Sequence, residues 1–172
     1  MKTLFTFLLL SIATFSQENP KLKVHSLGAG FGFFTSDYEI SGVCSLADLT
    51  IEYDENLLSV NYLDGTELNL GIFGSKSAFH INELNLQYGR ELKVKDRFSI
   101  EVYGGIGRYT LEIRSSSYGF GGSANAISFP IRVKLLLYTS KAKHFAISSN
   151  NNYSFNKINS NFSSNLTFQY NF

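Results

Sequence analysis

The segment Leu166-Thr167-Phe168-Gln169-Tyr170-Asn171-Phe172 alternates apolar and polar side chains up to a terminal phenylalanine. Leu166, Phe168, Tyr170 and Phe172 fall on one face, and Asn165, Thr167, Gln169 and Asn171 on the other. That is the period of a half-buried strand. A long greasy strand at the open edge of a sheet would recruit other chains, so the edge must be covered. Closing the sheet into a barrel covers it. A bilayer around that barrel then accounts for the greasy face, because a barrel is the one sheet that leaves no unpaired backbone in lipid.

The N-terminal residues read as an export address. Met1-Lys2-Thr3 is a short positive region, Leu4 to Phe15 is an apolar run too short to span a bilayer, and Thr14-Phe15-Ser16 offers small residues for a signal peptidase. The expected organisation is a cleaved signal peptide over 1–16 and one barrel domain over 17–172. No cysteine stands directly after the apolar run, so no lipoprotein anchor is expected. The longest later apolar run, Leu135-Leu136-Leu137-Tyr138, is too short for a transmembrane helix and is flanked by Arg132 and Lys134.

Composition narrows the class. Lys and Arg number 15 against 14 Asp and Glu, so neither nucleic acid nor an anionic membrane surface is an expected partner. Cys44 is the only cysteine, which rules out a disulfide-stapled secreted scaffold and leaves an unpaired residue expected near a loop. Phe and Tyr are abundant, Pro nearly missing, and this favours long uninterrupted strands.

Eight alternating segments can be laid out. The first runs Ser26 to Thr35, with Leu22 and Val24 in the opposite phase, so a bulge is expected before Ser26. The second is Val43 to Tyr53, and Asp54-Glu55-Asn56 turns into the third, Leu58 to Tyr62. Asp64 to Ala78 reads as a long loop before the fourth, Glu83 to Tyr88; Lys93 to Asp96 is a charged turn into the fifth, Phe98 to Ile106. Arg114 to Asn125 reads as a second long loop, followed by Ile127 to Leu137, the turn Thr139 to Lys143, and a seventh strand from Phe145 to Ser148. Asn150 to Asn161 is taken as strand ends and a polar outer loop before the terminal strand.

Connections thus alternate short and long, as in outer-membrane barrels, with both termini on the periplasmic side. Aromatics sort the same way. Tyr53, Tyr88, Phe98, Phe145, Tyr170 and Phe172 gather near the short turns, and Phe33, Tyr62, Phe129, Tyr153 and Phe162 near the other end, as two interfacial girdles require. The predicted fold class is all-β, an eight-stranded antiparallel up-and-down transmembrane barrel.

The export signal, Leu86-Gln87-Tyr88-Gly89-Arg90-Glu91-Leu92, Val102-Tyr103-Gly104-Gly105-Ile106-Gly107, Phe129-Pro130-Ile131-Arg132-Val133 and the terminal Phe168 to Phe172 resemble the small outer-membrane β-barrel family, the OmpA/OmpX-like superfamily. The resemblance covers the whole mature chain and implies location in the outer membrane of a diderm bacterium, among outer-membrane lipid and lipopolysaccharide. It implies recognition of Tyr170 and Phe172, with Leu166 and Phe168 behind them, by the barrel-assembly machinery. It names no activity, since members share architecture more than function.

Candidate sites follow from the phase. Gly28-Ala29-Gly30-Phe31-Gly32 lacks the following helix that a phosphate loop needs; its glycines are expected in the lumen, where they let a small barrel curve. Asp48, Glu52, Glu83, Glu101, Arg132 and Lys134 are expected to face the lumen as a salt-bridge network that plugs it, Glu101 and Lys134 lying at similar depth. The alternative is a gate whose re-pairing opens a narrow path for small solutes. His25, His80 and His144 have no ligand spacing, so no metal or cofactor is expected. The resemblance leaves a lipid A-modifying enzyme as a minor alternative, with His144 and Ser148 or Ser149 as its local candidates. Sequons at Asn152, Asn161 and Asn165 are read as chance. The expected function is a non-enzymatic outer-membrane barrel with a structural or surface-interaction role and an unknown surface ligand. A soluble barrel with a greasy interior, as in lipocalins, is the third alternative.

Overall fold

The computed structural model describes residues 22–37, 40–68, 77–115, 121–140 and 142–172. The proposed export signal lies outside them. Eight strands follow one another: β1 Leu22–Ser36, β2 Ser41–Tyr53, β3 Asn56–Glu67, β4 Ser77–Lys95, β5 Phe98–Ser115, β6 Gly121–Tyr138, β7 Phe145–Asn156 and β8 Asn161–Asn171. Each pairs antiparallel with the next, and β8 pairs with β1 to close the barrel. Followed strand to strand from Leu22, the ladder climbs toward the loop end and re-enters β1 at Phe33. That stagger is the strand tilt a closed barrel requires.

The alternation decides which way each side chain points. Leu27, Phe31, Leu86, Ile131, Leu166 and Phe168 face outward and are exposed, whereas Thr50, Asn61, Gln87 and Ser148 face inward and are buried. Apolar outside and polar inside is the membrane arrangement, and it excludes the lipocalin-like reading, which needs the reverse. The expected bulge is present: the β1–β2 register shifts between Val24 and Ser26. Closure at β1–β8 is tight. A Cβ at Gly32 would stand 2.0 Å from the Ser164 carbonyl oxygen, and one at Gly30 2.2 Å from that of Leu166. These glycines do face the lumen, but their tightest neighbours are the backbone of β8 rather than bulky residues across the barrel.

Several boundaries differ from the sequence reading. β3 continues to Glu67, β4 starts at Ser77, β5 runs to Ser115 and β6 starts at Gly121. Strand therefore reaches into both segments read as loops, taking 64–67 and 77–78 of Asp64–Ala78, and 114–115 and 121–125 of Arg114–Asn125. β7 likewise runs through the Asn-rich stretch to Asn156, and the charged turn shrinks to Asp96-Arg97 because β4 reaches Lys95. The physical reason is a reversal of phase. Above Tyr62 the outward positions turn polar (Asp64, His80, Asn82, Thr110) and the inward ones apolar (Leu63, Ile81, Leu111). Phe34, Ile40, Cys44, Leu46, Leu63, Ile81, Tyr109 and Leu111 form a buried cluster there, with Phe79 and Ile158 against it. Cys44 belongs to this interior cluster rather than to a loop, and its Sγ donates to Asn165 Oδ1 at 3.2 Å.

Candidate functional site

The lumen is layered. Nearest the end that carries Leu22 and Phe172 lies a chain of charges. Lys23 Nζ is 3.1 Å from Glu52 Oε2, His25 Nδ1 3.0 Å from the same oxygen, and His25 Nε2 3.4 Å from Glu101 Oε1. The β1 bulge puts His25 there, since the extra residue breaks the alternation and leaves its ring at the barrel mouth.

Deeper in, β2, β5 and β6 bring together Asp48, Glu101, Arg132 and Lys134, all fully buried. Lys134 and Glu101 are register partners, 3.2 Å apart. Asp48 reaches across the lumen to take both cations, with Arg132 Nη1 at 2.8 Å and Lys134 Nζ at 2.8 Å. Ser59 donates to Asp48 at 2.5 Å and accepts from Arg132 Nη2 at 2.7 Å. Tyr103 donates to Glu101 at 2.6 Å, and its ring lies under the Arg132 guanidinium, 4.1 Å from centroid to Cζ. Two buried carboxylates thus meet two buried cations with further hydrogen bonds, the condition under which buried charge is tolerated.

Glu83 stands apart. It is fully buried, accepts from the Ser154 hydroxyl, and its other oxygen has no hydrogen bond. Among the described residues no cation pairs with it; Asn85, Ser128 and Asn161 surround it. Of the six charges expected to converge, Asp48, Glu101, Arg132 and Lys134 meet at the centre, Glu52 joins them through His25, and Glu83 lies one layer further out among amides and hydroxyls. Above it sits the apolar cluster. His25, Tyr103 and Ser59 were missed by sequence reading; the bulge signalled His25, while Tyr103 and Ser59 carried no signal beyond their inward phase.

The remaining candidates separate. His144 is exposed and stacks on Tyr170 at 6.1 Å, whereas Ser148 points inward and shares a hydrogen bond with Thr167. No hydrogen bond joins the two. Continuing the β7 alternation back from Ser148 would turn His144 inward too, but it precedes β7 and the turn puts it on the outer face. His80 lies 3.4 Å from Asp64, away from the other histidines, and the described residues contain no cluster of metal-ligating side chains. Asn152, Asn161 and Asn165 are buried in the lumen, so these sequons are out of reach in the folded chain. At the terminus, Leu166, Phe168, Tyr170 and Phe172 all face outward, and Tyr170 packs edge-on against Phe145 at 5.1 Å and Phe172 at 5.0 Å.

No protein-family model and no curated protein matches the sequence. Solved structures do match. Neisserial surface protein A superposes with a TM-score of 0.67 at 8% identity, over 88% of this chain and 97% of that one. The N-terminal β-barrel domain of Pseudomonas aeruginosa OprF gives 0.63 at 13% identity, over 88% and 99%. Ail, the attachment invasion locus protein of Yersinia pestis, gives 0.57 at 14% identity, over 87% and 100%. The fold is therefore that of the small outer-membrane barrels. Together with the apolar belt around a polar interior, it makes this protein an integral outer-membrane β-barrel.

Proposed function

We propose that this barrel is closed to solutes and acts through the surface it presents outside the cell, without catalysis. The observation that carries the surface reading is the upper part of β6. β5 pairs with it all the way up to Gly121, but β7 reaches only as far as Ser128, opposite Asn156. Gly121 to Ile127 therefore has a β-partner on one side only among the described residues. This stretch contains no charge and no proline, the devices that normally protect an edge. It rises on the loop end, beyond the aromatic ring of Phe33, Phe129 and Phe162. An exposed edge of this kind receives an extended segment of another chain as an added strand.

A closed lumen supports the same reading. The charge network, the amide layer and the apolar cluster fill the interior in series, as expected of an eight-stranded barrel. Ail, named for attachment, has also been crystallised with the heparin analogue sucrose octasulfate. The described outer end here mixes Arg108, His80 and Lys157 with Asp64, Glu67 and Glu112, so an extended peptide is the better ligand class than a polyanion.

The test selects peptides from a displayed random library against the protein in lipid nanodiscs, then maps them by amide exchange. Selected peptides should protect residues 121–127 and lose binding to Ala124→Pro. Protection elsewhere, or equal binding to that variant, would sink the edge assignment. Single-channel recording checks the closed lumen; a steady conductance in the unaltered protein would restore the gated-channel alternative. The terminal Leu166, Phe168, Tyr170 and Phe172 are assigned to assembly, and deletion of Phe172 should slow insertion in cells.

A further inference from the structure

One imidazole lies between two carboxylates at the periplasmic mouth. His25 Nδ1 is 3.0 Å from Glu52 Oε2, and Nε2 is 3.4 Å from Glu101 Oε1. Lys23 pairs with Glu52 at 3.1 Å and Lys134 with Glu101 at 3.2 Å, so each acid is already the anion of an ion pair. An ionised carboxylate only accepts hydrogen bonds, and a neutral imidazole carries one N–H. Both contacts are therefore hydrogen bonds only when the ring is the imidazolium. In the neutral ring one nitrogen turns a lone pair toward a carboxylate.

The placement of His25 suits a switch. It is the link through which Lys23 and Glu52 at the mouth join Glu101, Lys134, Asp48 and Arg132 in the centre. Cutting that link strands no charge: Glu52 keeps Lys23, and Glu101 keeps Lys134 and the Tyr103 hydroxyl. The link can thus open and close without leaving a buried ion alone. The backbone beneath the ring is pinned, since the β1 bulge sets its direction and the Phe172 N–H donates to the His25 carbonyl at 3.1 Å. A change of charge therefore acts on the ring rather than on the strand. The side chain is 12% exposed, which opens it to protons from the periplasm.

Other charged and titratable groups line the mouth beside Lys23 and Glu52. They are Glu91 and Lys93 of β4, Tyr138 of β6, Lys143 ahead of β7, and Phe172 with the chain-terminal carboxylate. Tyr103 and Lys134 back Glu101 from within. Histidine is the side-chain type that ordinarily changes charge between about pH 5 and pH 8. The other two stand away from this chain of charges, His80 against Asp64 and His144 on Tyr170.

We infer that His25 is a pH-operated latch tying the periplasmic mouth of the barrel to its central charge network. As the imidazolium it holds Glu52 and Glu101 together. When one proton leaves to the periplasmic water, the remaining N–H serves the shorter contact to Glu52, and Glu101 is released. The latch is shut in acid and opens as the pH rises through the titration of the ring in the folded barrel. Its contribution to stability is lost in that direction.

The test uses the full barrel in lipid nanodiscs with His80→Gln and His144→Gln, which leaves His25 as the one imidazole. Nitrogen NMR of the labelled ring should give a titration midpoint that falls by about one pH unit in Glu101→Gln, where one anion is gone. Glu52→Gln, at the mouth, supplies the same comparison if Glu101→Gln does not fold. In urea unfolding, the folded-to-unfolded ratio should drop between about pH 5 and pH 8 by about tenfold more than in the same protein with His25→Gln. A midpoint unmoved by removal of an anion would overturn the latch, and so would equal drops with and without His25.

Discussion

Asp48→Asn isolates the central claim about the lumen. Among the described residues, Asp48 is the only carboxylate paired with Arg132 and one of two paired with Lys134. Changing it to the amide keeps the shape and the Ser59 contact but leaves the guanidinium buried with no anion. Lys134 keeps Glu101. Breaking a buried pair from one side costs about 3–5 kcal/mol, most of it the penalty of the stranded charge. One stranded charge here places the expected loss at about 3 to 4 kcal/mol. The Tyr103 ring beneath Arg132, a desolvated cation–π contact worth about 2 kcal/mol, is present before and after the change and leaves the difference standing. The chain contains no tryptophan, so the assay is urea unfolding in lipid vesicles read by the mobility difference between folded and unfolded barrel on unheated gels. Adding Arg132→Met to Asp48→Asn should recover most of the loss, because the stranded charge is then gone. A loss below about 1 kcal/mol, or a double variant no more stable than the single one, would refute the pairing. Glu101→Ala tests the other half of the network: Lys134 keeps Asp48, so no lysine or arginine is stranded, and the loss should be smaller than that of Asp48→Asn in the same readout.

Three further outcomes follow from the geometry. Glu83→Gln should change unfolding by no more than about 1 kcal/mol, since no cation loses a partner; a loss equal to that of Asp48→Asn would mean Glu83 is tied to the charge network after all. Asp54 and Glu55 make the β2–β3 turn at φ 50° and 71°, a left-handed region that costs a side-chain-bearing residue about 1 kcal/mol or more. Glu55→Gly should therefore stabilise the barrel by roughly that amount in the same unfolding assay, and a destabilisation would contradict the turn. Gly32→Val places side-chain carbon against the Ser164 carbonyl, so the yield of folded barrel from urea dilution into vesicles should fall several-fold, while Gly122→Val, where nothing lies within 4 Å of an added Cβ, should fold normally.

Most of the belt was legible in the sequence because lipid imposes one rule on every strand. Wherever Leu84, Leu86 and Tyr88 or Val102 and Ile106 face the bilayer, alternation has a single sense, and strand identity, phase and the closing of β8 on β1 follow from it. Legibility ended where the solvent changed. Outside the bilayer the rule inverts: Asp64 and Thr66 face out while Leu63 faces in, and Thr110 faces out while Leu111 faces in. A reading that requires apolar residues outward stops each strand at the inversion, which is why the third strand was ended at Tyr62, the fifth at Ile106, and Asp64 was taken as a loop start. The same reasoning explains the Asn-rich run. Asn150 and Asn152 are polar because they face the lumen, and their neighbour Asn151 is polar on the lipid side, so the alternation disappears from the sequence where the strand does not.

The charge network shows a different limit. Phase alone placed Asp48, Glu101, Arg132 and Lys134 inside, and register put Glu101 beside Lys134. Which anion crosses the lumen to which cation depends on the stagger of the closed barrel, a property of all eight strands together. Asp48 on β2 meets β6 because the tilt brings their inward positions to one height, and Glu83 on β4 is carried above that height into the amide layer. A core of four charges, with Glu52 joined to it at the mouth through His25 and Glu83 left over, follows from shear acting on a residue pattern. The expectation of a single six-charge cluster assumed that inward residues meet by type, whereas in a narrow barrel they meet by depth.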